Sequence, residues 1–158
     1  MPYNDRNYGR GYGQQGGGYN RSFSQPASKP IEPKPIPADY VDAAERVMNG
    51  LQEMGNGRIR ITTTKMRGFL GLVNDIYNTE SLRAEDELLG ESVLKLMRLR
   101  VRIVYDAGRE QDVRTFVEKA QLLEYIKGIG TSRKNMIQFA HYMEALVAYH
   151  RFLGGKEN

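Results

Sequence analysis

Residues 84–109 read AEDELLGESVLKLMRLRVRIVYDAGR, and this stretch decides the fold class. At 100° per residue, Leu88, Leu89, Val93, Leu94, Leu96, Met97, Leu99, Val101, Ile103 and Val104 cover about two-thirds of a helix circumference. A helix this apolar is expected at the centre of a bundle, running from about Ala84 to Ala107 and stopping at Gly108. Glu85, Asp86, Glu87 and Glu91 fall in its expected first turns, where carboxylates complement the helix dipole. The remaining narrow stripe holds Glu91, Lys95, Arg98, Arg102 and Arg109. Arg98, Arg102 and Arg109 stand at i, i+4 and i+11, so they stack along one side, bordered by Tyr105. Arg100 is the exception. It lies in the middle of the apolar arc and is expected to be paired or to reach an interface.

Outward from this segment the pattern stays helical. A first helix is expected from about Asp39 to Met54, with Tyr40, Val41, Ala44, Val47, Met48 and Leu51 on one face and Gly55-Asn56-Gly57 ending it. A second begins after Thr62-Thr63-Thr64 and carries Met66, Phe69, Leu70, Val73, Ile76 and Tyr77. A fourth is expected from Glu110 to Lys127, stopped by Gly128, and a fifth from Thr131-Ser132 to Phe152 before Gly154-Gly155. Short links between them predict an all-α, compact bundle of about five helices over residues 38–155.

All six prolines lie at or before Pro37. Residues 1–37 therefore read as a separate low-complexity tail and linker, first Gly/Tyr/Arg-rich and then Pro-spaced (PIEPKPIP). The first piece lacks aliphatic side chains to bury, so ordering it would cost backbone entropy with little return. The Pro-spaced piece favours extended geometry. Arg6, Arg10 and Arg21 among Tyr3, Tyr8, Tyr12, Tyr19 and Phe23 suit stacking and electrostatic contact with RNA, or simply a soluble leader.

Composition excludes several functions. With no cysteine there are no disulfides, thiolate metal sites or cysteine nucleophile. Neither a membrane-spanning run nor a secretory h-region is present, so a cytoplasmic location is expected. His141 and His150, the only histidines, face nearly opposite ways on one helix; His150 shares a face with Met136, Met143 and Val147 and reads as a core residue. No phosphate-loop, zinc-protease or paired-acid motif occurs, so neither enzyme activity nor a cofactor or metal is expected.

The net charge of +4 is concentrated at the front, where residues 1–38 contribute +3. Nucleic-acid binding by the folded part must therefore rest on local clusters. RIRITTTKMR supplies Arg58, Arg60, Lys65 and Arg67, and KLMRLRVRIVY supplies Lys95, Arg98, Arg100 and Arg102, neither with an acid inside. Cations spaced along a surface neutralise successive phosphates and release counterions. The competing explanation is that they solvate exposed faces or pair with nearby acids. The loop GIGTSRKN adds Arg133 and Lys134 in the first turn of a helix, an anion-friendly position that also superficially matches a helix-hairpin-helix DNA-backbone grip. Ordinary helix termination and recapping accounts for the same residues.

Three blocks carry a resemblance: ITTTKMRGFLGLVNDIYN, LRVRIVYDAGRE, and FVEKAQLLEYIKGIGTSRKNMIQFAHYMEALVAYHRFLGG, of which YMEALVAYHRFLGG is the most specific. Together they resemble the small subunit of type III-A CRISPR-associated (Csm) effector complexes over about residues 40–155. The resemblance implies a compact helical protein without nuclease activity that stacks in several copies in antiviral defence. It would lie beside the repeated backbone subunit and the large polymerase-like subunit, contacting guide RNA and target RNA phosphates without reading bases. It carries the RNA-binding role to Lys65, Arg67, Arg98, Arg100, Arg102 and Arg109, beside Arg58, Arg133 and Lys134 from the clusters above. A DNA-backbone adaptor and a helical scaffold without nucleic-acid contact are the alternatives.

Overall fold

The computed structural model describes residues 29–157, and the readings of the tail over residues 1–28 lie outside them. Six helices follow in order: α1 (Tyr40–Met54), α2 (Thr63–Glu80), α3 (Gly90–Arg109), α4 (Gln111–Lys119), α5 (Leu122–Ile129) and α6 (Arg133–Phe152). The all-α expectation holds: the described residues contain no strand, only one isolated bridge between Glu87 and Ser132.

The helix at the centre is α6. It packs against α1, α2 and α5 and buries Met136, Phe139, Ala140, Tyr142, Met143, Leu146 and His150. As its position beside Met143 and Val147 predicts, His150 is a core residue, with Nε2 2.8 Å from the Ile61 carbonyl oxygen. The main chain of Gly155 lies against its ring, where any Cβ would collide with the imidazole. The following Lys156 carbonyl accepts from Thr63 N at 2.7 Å, so the C-terminal strap fixes the entry into α2.

Three expectations about the helices are corrected. The third helix starts at Gly90 rather than Ala84, so Glu85, Asp86 and Glu87 belong to the preceding loop and only Glu91 sits in its first turn. That loop is held by tertiary bonds instead. The Glu80 carboxylate, fully buried, accepts from Leu89 N at 3.0 Å and from Arg83 at 2.6 Å, while Leu88 N donates to Thr131 O at 2.9 Å.

The expected fourth helix is two. Gln121 adopts φ 53°, a left-handed conformation, and breaks the segment between α4 and α5. The buried Tyr142 hydroxyl donates to the Ala120 carbonyl at 2.9 Å, satisfying an acceptor that the break leaves without a helical partner. Nor does Gly128 stop this segment: α5 continues to Ile129, and Gly130, at φ 55°, is the cap.

Most consequential, α3 is not central. It packs on α2, α4 and α5 through a face made of Ser92, Leu96, Leu99, Ile103 and Asp106. Leu94, Met97, Val101 and Val104 are exposed. Leaving such side chains half or more in water forgoes on the order of 1 kcal/mol each relative to full burial.

The compact unit begins at Ile31. Extended residues 31–37 lie along α5: Lys34 N donates to Glu124 O at 3.0 Å and Lys127 Nζ to Ile31 O at 2.8 Å. Ile36 packs against the core. Gly128 is where this strap touches α5, since a Cβ there would run into the Lys34 carbonyl.

Candidate nucleic-acid interface

The candidate interface is built where α2 begins and α3 ends. Thr62 caps α2 by accepting from Lys65 N at 3.2 Å, which sets Lys65 on the flank facing α3. Its Nζ lies 3.4 Å from Asp106 Oδ2 and 3.2 Å from Glu110 Oε1. Arg102 Nε approaches the same Asp106 oxygen at 2.9 Å. Burial opposes ionisation of Asp106, but hydrogen bonds from Arg102 and Lys65 outweigh it and hold the carboxyl below its ordinary value. One buried anion thus orients two cations at the rim of a groove of about 370 Å³, lined also by Thr64, Gly68, Phe69 and Leu72.

Along α3 the predicted cation line is present. Arg98, Arg102 and Arg109 are exposed on one side, spanning about 16 Å at 1.5 Å per residue. The Arg109 guanidinium lies 5.4 Å from the Tyr105 ring centroid, a cation–π contact that orders the end of the line. Arg102 keeps 59 % of its side chain exposed despite its bond to Asp106. Arg98 has no carboxylate partner among the described residues. Lys95, next on this face, is engaged by Asp75 at 3.1 Å and Glu91 at 3.3 Å.

The remaining predicted residues do not form one surface. Arg100, expected to be paired or to reach an interface, is exposed and has no ion-pair partner among the described residues; helical geometry puts it on the opposite side from the Arg98–Arg102–Arg109 line. Arg67 is exposed on the solvent side of α2, and Lys134 is exposed at the start of α6. Arg133 is occupied: Nε donates to Glu85 O and Nη1 to Glu80 O, both at 2.7 Å, so it secures the α2–α3 loop. With Gly128 covered by Lys34, GIGTSRKN lacks the open backbone that a helix-hairpin-helix grip needs. Its Ser132 is an ordinary cap, accepting from Asn135 N at 3.2 Å.

Arg58 stands apart in the α1–α2 loop, beside Arg60 and Lys156 around a hollow of about 470 Å³ with Asp112, Gly55 and Gly154. Sequence reading missed Lys156. It arrives there only because the strap folds back over His150, and the Gly154-Gly155 pair preceding it was the available signal.

Among the described residues no group of His, Cys, Asp or Glu could hold a metal ion, and no helix is long and apolar enough to cross a membrane.

The family model Csm2 Type III-A matches residues 38–156, the helical unit without its leader. A Streptococcus thermophilus protein named CRISPR system Cms protein Csm2 is 42 % identical over 119 residues, covering 75 % of this chain and 94 % of its own. A protein of the same name from Mycobacterium tuberculosis is 43 % identical over 122 residues, covering 77 % and 97 %. One from Enterococcus italicus is 37 % identical over 95 residues, covering 58 % and 67 %. The chain therefore belongs to the Csm2 type III-A family, the small subunit of the Csm complex.

Proposed function

We propose that this subunit is a non-catalytic, cytoplasmic RNA-backbone-binding element, present in several copies in an RNA-guided interference complex. It contacts guide RNA and target RNA without reading bases, next to the large polymerase-like and repeated backbone subunits. The observation that carries the reading is the Arg98–Arg102–Arg109 line, exposed along one side of α3 and extended by Lys65 across the groove. Point charges on a rigid helix suit phosphates. A subunit with few phosphate contacts binds weakly alone and gains avidity when copies are aligned.

Binding of labelled single-stranded RNA to the full chain tests this. With four phosphates neutralised, affinity should fall about fifty-fold between 50 and 200 mM salt, from a slope near −0.7 per contact. Unrelated RNA sequences should give the same affinity. Salt-independent or sequence-selective binding would contradict the reading, and absence of binding at low salt would leave a helical scaffold.

A further inference from the structure

Away from the α3 line, the cations of the α1–α2 loop are held in a fixed arrangement. Residues 58–61 alternate outward and inward: Ile59 and Ile61 are buried, while Arg58 and Arg60 are exposed. In an extended segment this puts both arginines on one side, with Cα atoms about 7 Å apart. The turn before them is set by Asn56 at φ 55° and Gly57 at φ 87°, and by Gly55, where any Cβ would run into the Arg58 carbonyl. The C-terminal strap lies alongside. Lys156 N donates to Ile59 O at 3.4 Å and Lys156 O accepts from Thr63 N at 2.7 Å, which brings Lys156 to the hollow that the two arginines line.

None of these three side chains has an ion pair or hydrogen bond among the described residues. Like charges gathered without a counter-charge repel one another, and a bound anion relieves that repulsion. Their hollow adjoins a second of about 250 Å³, since Gly55, Ile59, Arg60 and Asp112 line both. Leu51, Met54, Ile59 and Ile61 give the second part an apolar floor. An apolar concavity with a few converging polar groups is the usual form of a small-molecule site. Asp112, in the first turn of α4, is the one carboxylate lining the cleft among the described residues, and its side chain too is unpaired there. A carboxylate only accepts, so a fitting ligand brings hydrogen-bond donors to Asp112 as well as an anion to the cations. A fatty acid lacks the donors and a plain phosphate lacks the apolar body. A nucleotide has all three parts, and ribose hydroxyls donating to a carboxylate are a recurrent nucleotide contact.

We infer that this cleft binds a single ribonucleotide: its phosphate against Arg58, Arg60 and Lys156, its ribose hydroxyls on Asp112, and its base over the floor of Leu51, Met54 and Ile59. The site is made by the α1–α2 loop, α4 and the C-terminal strap, and the inference stands independently of the RNA-backbone reading of α3. Two sources carry this chemistry, a free nucleoside 5′-monophosphate and the 3′-terminal nucleotide of an RNA.

Isothermal titration calorimetry of the full chain with adenosine 5′-monophosphate at low salt tests this. Binding at one site per chain is expected. The 2′,3′-dideoxy nucleotide, which lacks both sugar donors, should bind at least about tenfold more weakly, because hydrogen bonds to a charged group are lost. In Asp112→Ala that difference between the two sugars should vanish. Arg58→Ala and Lys156→Ala should weaken both nucleotides alike. All three positions are exposed, and circular dichroism checks that each variant folds. A short single-stranded RNA added as competitor separates the sources. Competition by an RNA with an ordinary 3′ ribose, but not by one ending in a dideoxy residue, assigns the site to an RNA terminus; no competition by either assigns it to the free nucleotide. Equal competition by both would mean that the phosphate alone is held, and would overturn the inference. So would the absence of nucleotide binding, equal affinity of the wild type for the two sugars, or a sugar preference that survives Asp112→Ala.

Discussion

Arg98 and Arg102 occupy adjacent turns of one cation line, yet replacing each with Ala should have different consequences. On the RNA-backbone reading proposed above, each change removes one phosphate contact. From four contacts the salt slope should shrink from about −2.8 to about −2.1, so the affinity loss between 50 and 200 mM salt should drop from about fifty-fold to about eighteen-fold. Stability is where they part. Arg98 is exposed with no carboxylate partner, and its loss should stay within about 0.5 kcal/mol. Arg102 bonds the Asp106 carboxylate, whose side chain is only 3 % exposed, and the remaining cation, Lys65, stands off at 3.4 Å. Removing a hydrogen bond to a buried charged group costs about 1.5–3 kcal/mol. Urea melts of the two variants should therefore show a lower midpoint with an unchanged slope for Arg102→Ala and almost no shift for Arg98→Ala. Equal melts would refute the idea that Asp106 orients the interface. Equal salt slopes for wild type and both variants would refute the assignment of the line to phosphates.

Acidification should act on the same buried carboxylates. Burial opposes ionisation of Glu80, but bonds from Ser92, Leu89 and Arg83 outweigh it and lower its value, as Arg102 and Lys65 do for Asp106. Their stabilisation is complete above the unfolded values of about 3.9–4.3 and is lost as pH falls through the depressed folded values, so thermal melts should decline below about pH 4. A melting temperature that stays flat through that range would argue against both clusters. Tyr142→Phe should cost about 1–3 kcal/mol by leaving the Ala120 carbonyl unsatisfied at the α4–α5 break, and an unchanged denaturation midpoint would show that the break holds without it. Gly155→Ala should destabilise by about 1–3 kcal/mol because its Cβ meets the buried His150 ring, whereas Gly50→Ala, inside α1 with open space around it, should stabilise by about 0.5–1 kcal/mol. Calorimetric melts moving the two variants the same way would undercut the account of the strap.

Periodicity, turn residues and caps are properties of neighbours in the chain, and for that reason the sequence by itself determined the helical class, the ends of α1 and α6, capping within Thr62-Thr63-Thr64 and Thr131-Ser132, the core position of His150 and the Arg98–Arg102–Arg109 line. It also carried the family resemblance over residues 40–155. Only the tertiary structure decided which apolar face was buried. An apolar arc covering two-thirds of a helix does not say which part of it the chain itself covers, and in α3 Leu96, Leu99 and Ile103 are buried while Leu94, Met97, Val101 and Val104 stay exposed. Partners distant in sequence fixed the remaining details: Tyr142 at the Gln121 break, the Lys34 carbonyl over Gly128, and carbonyls of the α2–α3 loop around Arg133. Pairing across such separations is set by packing, which no local pattern encodes.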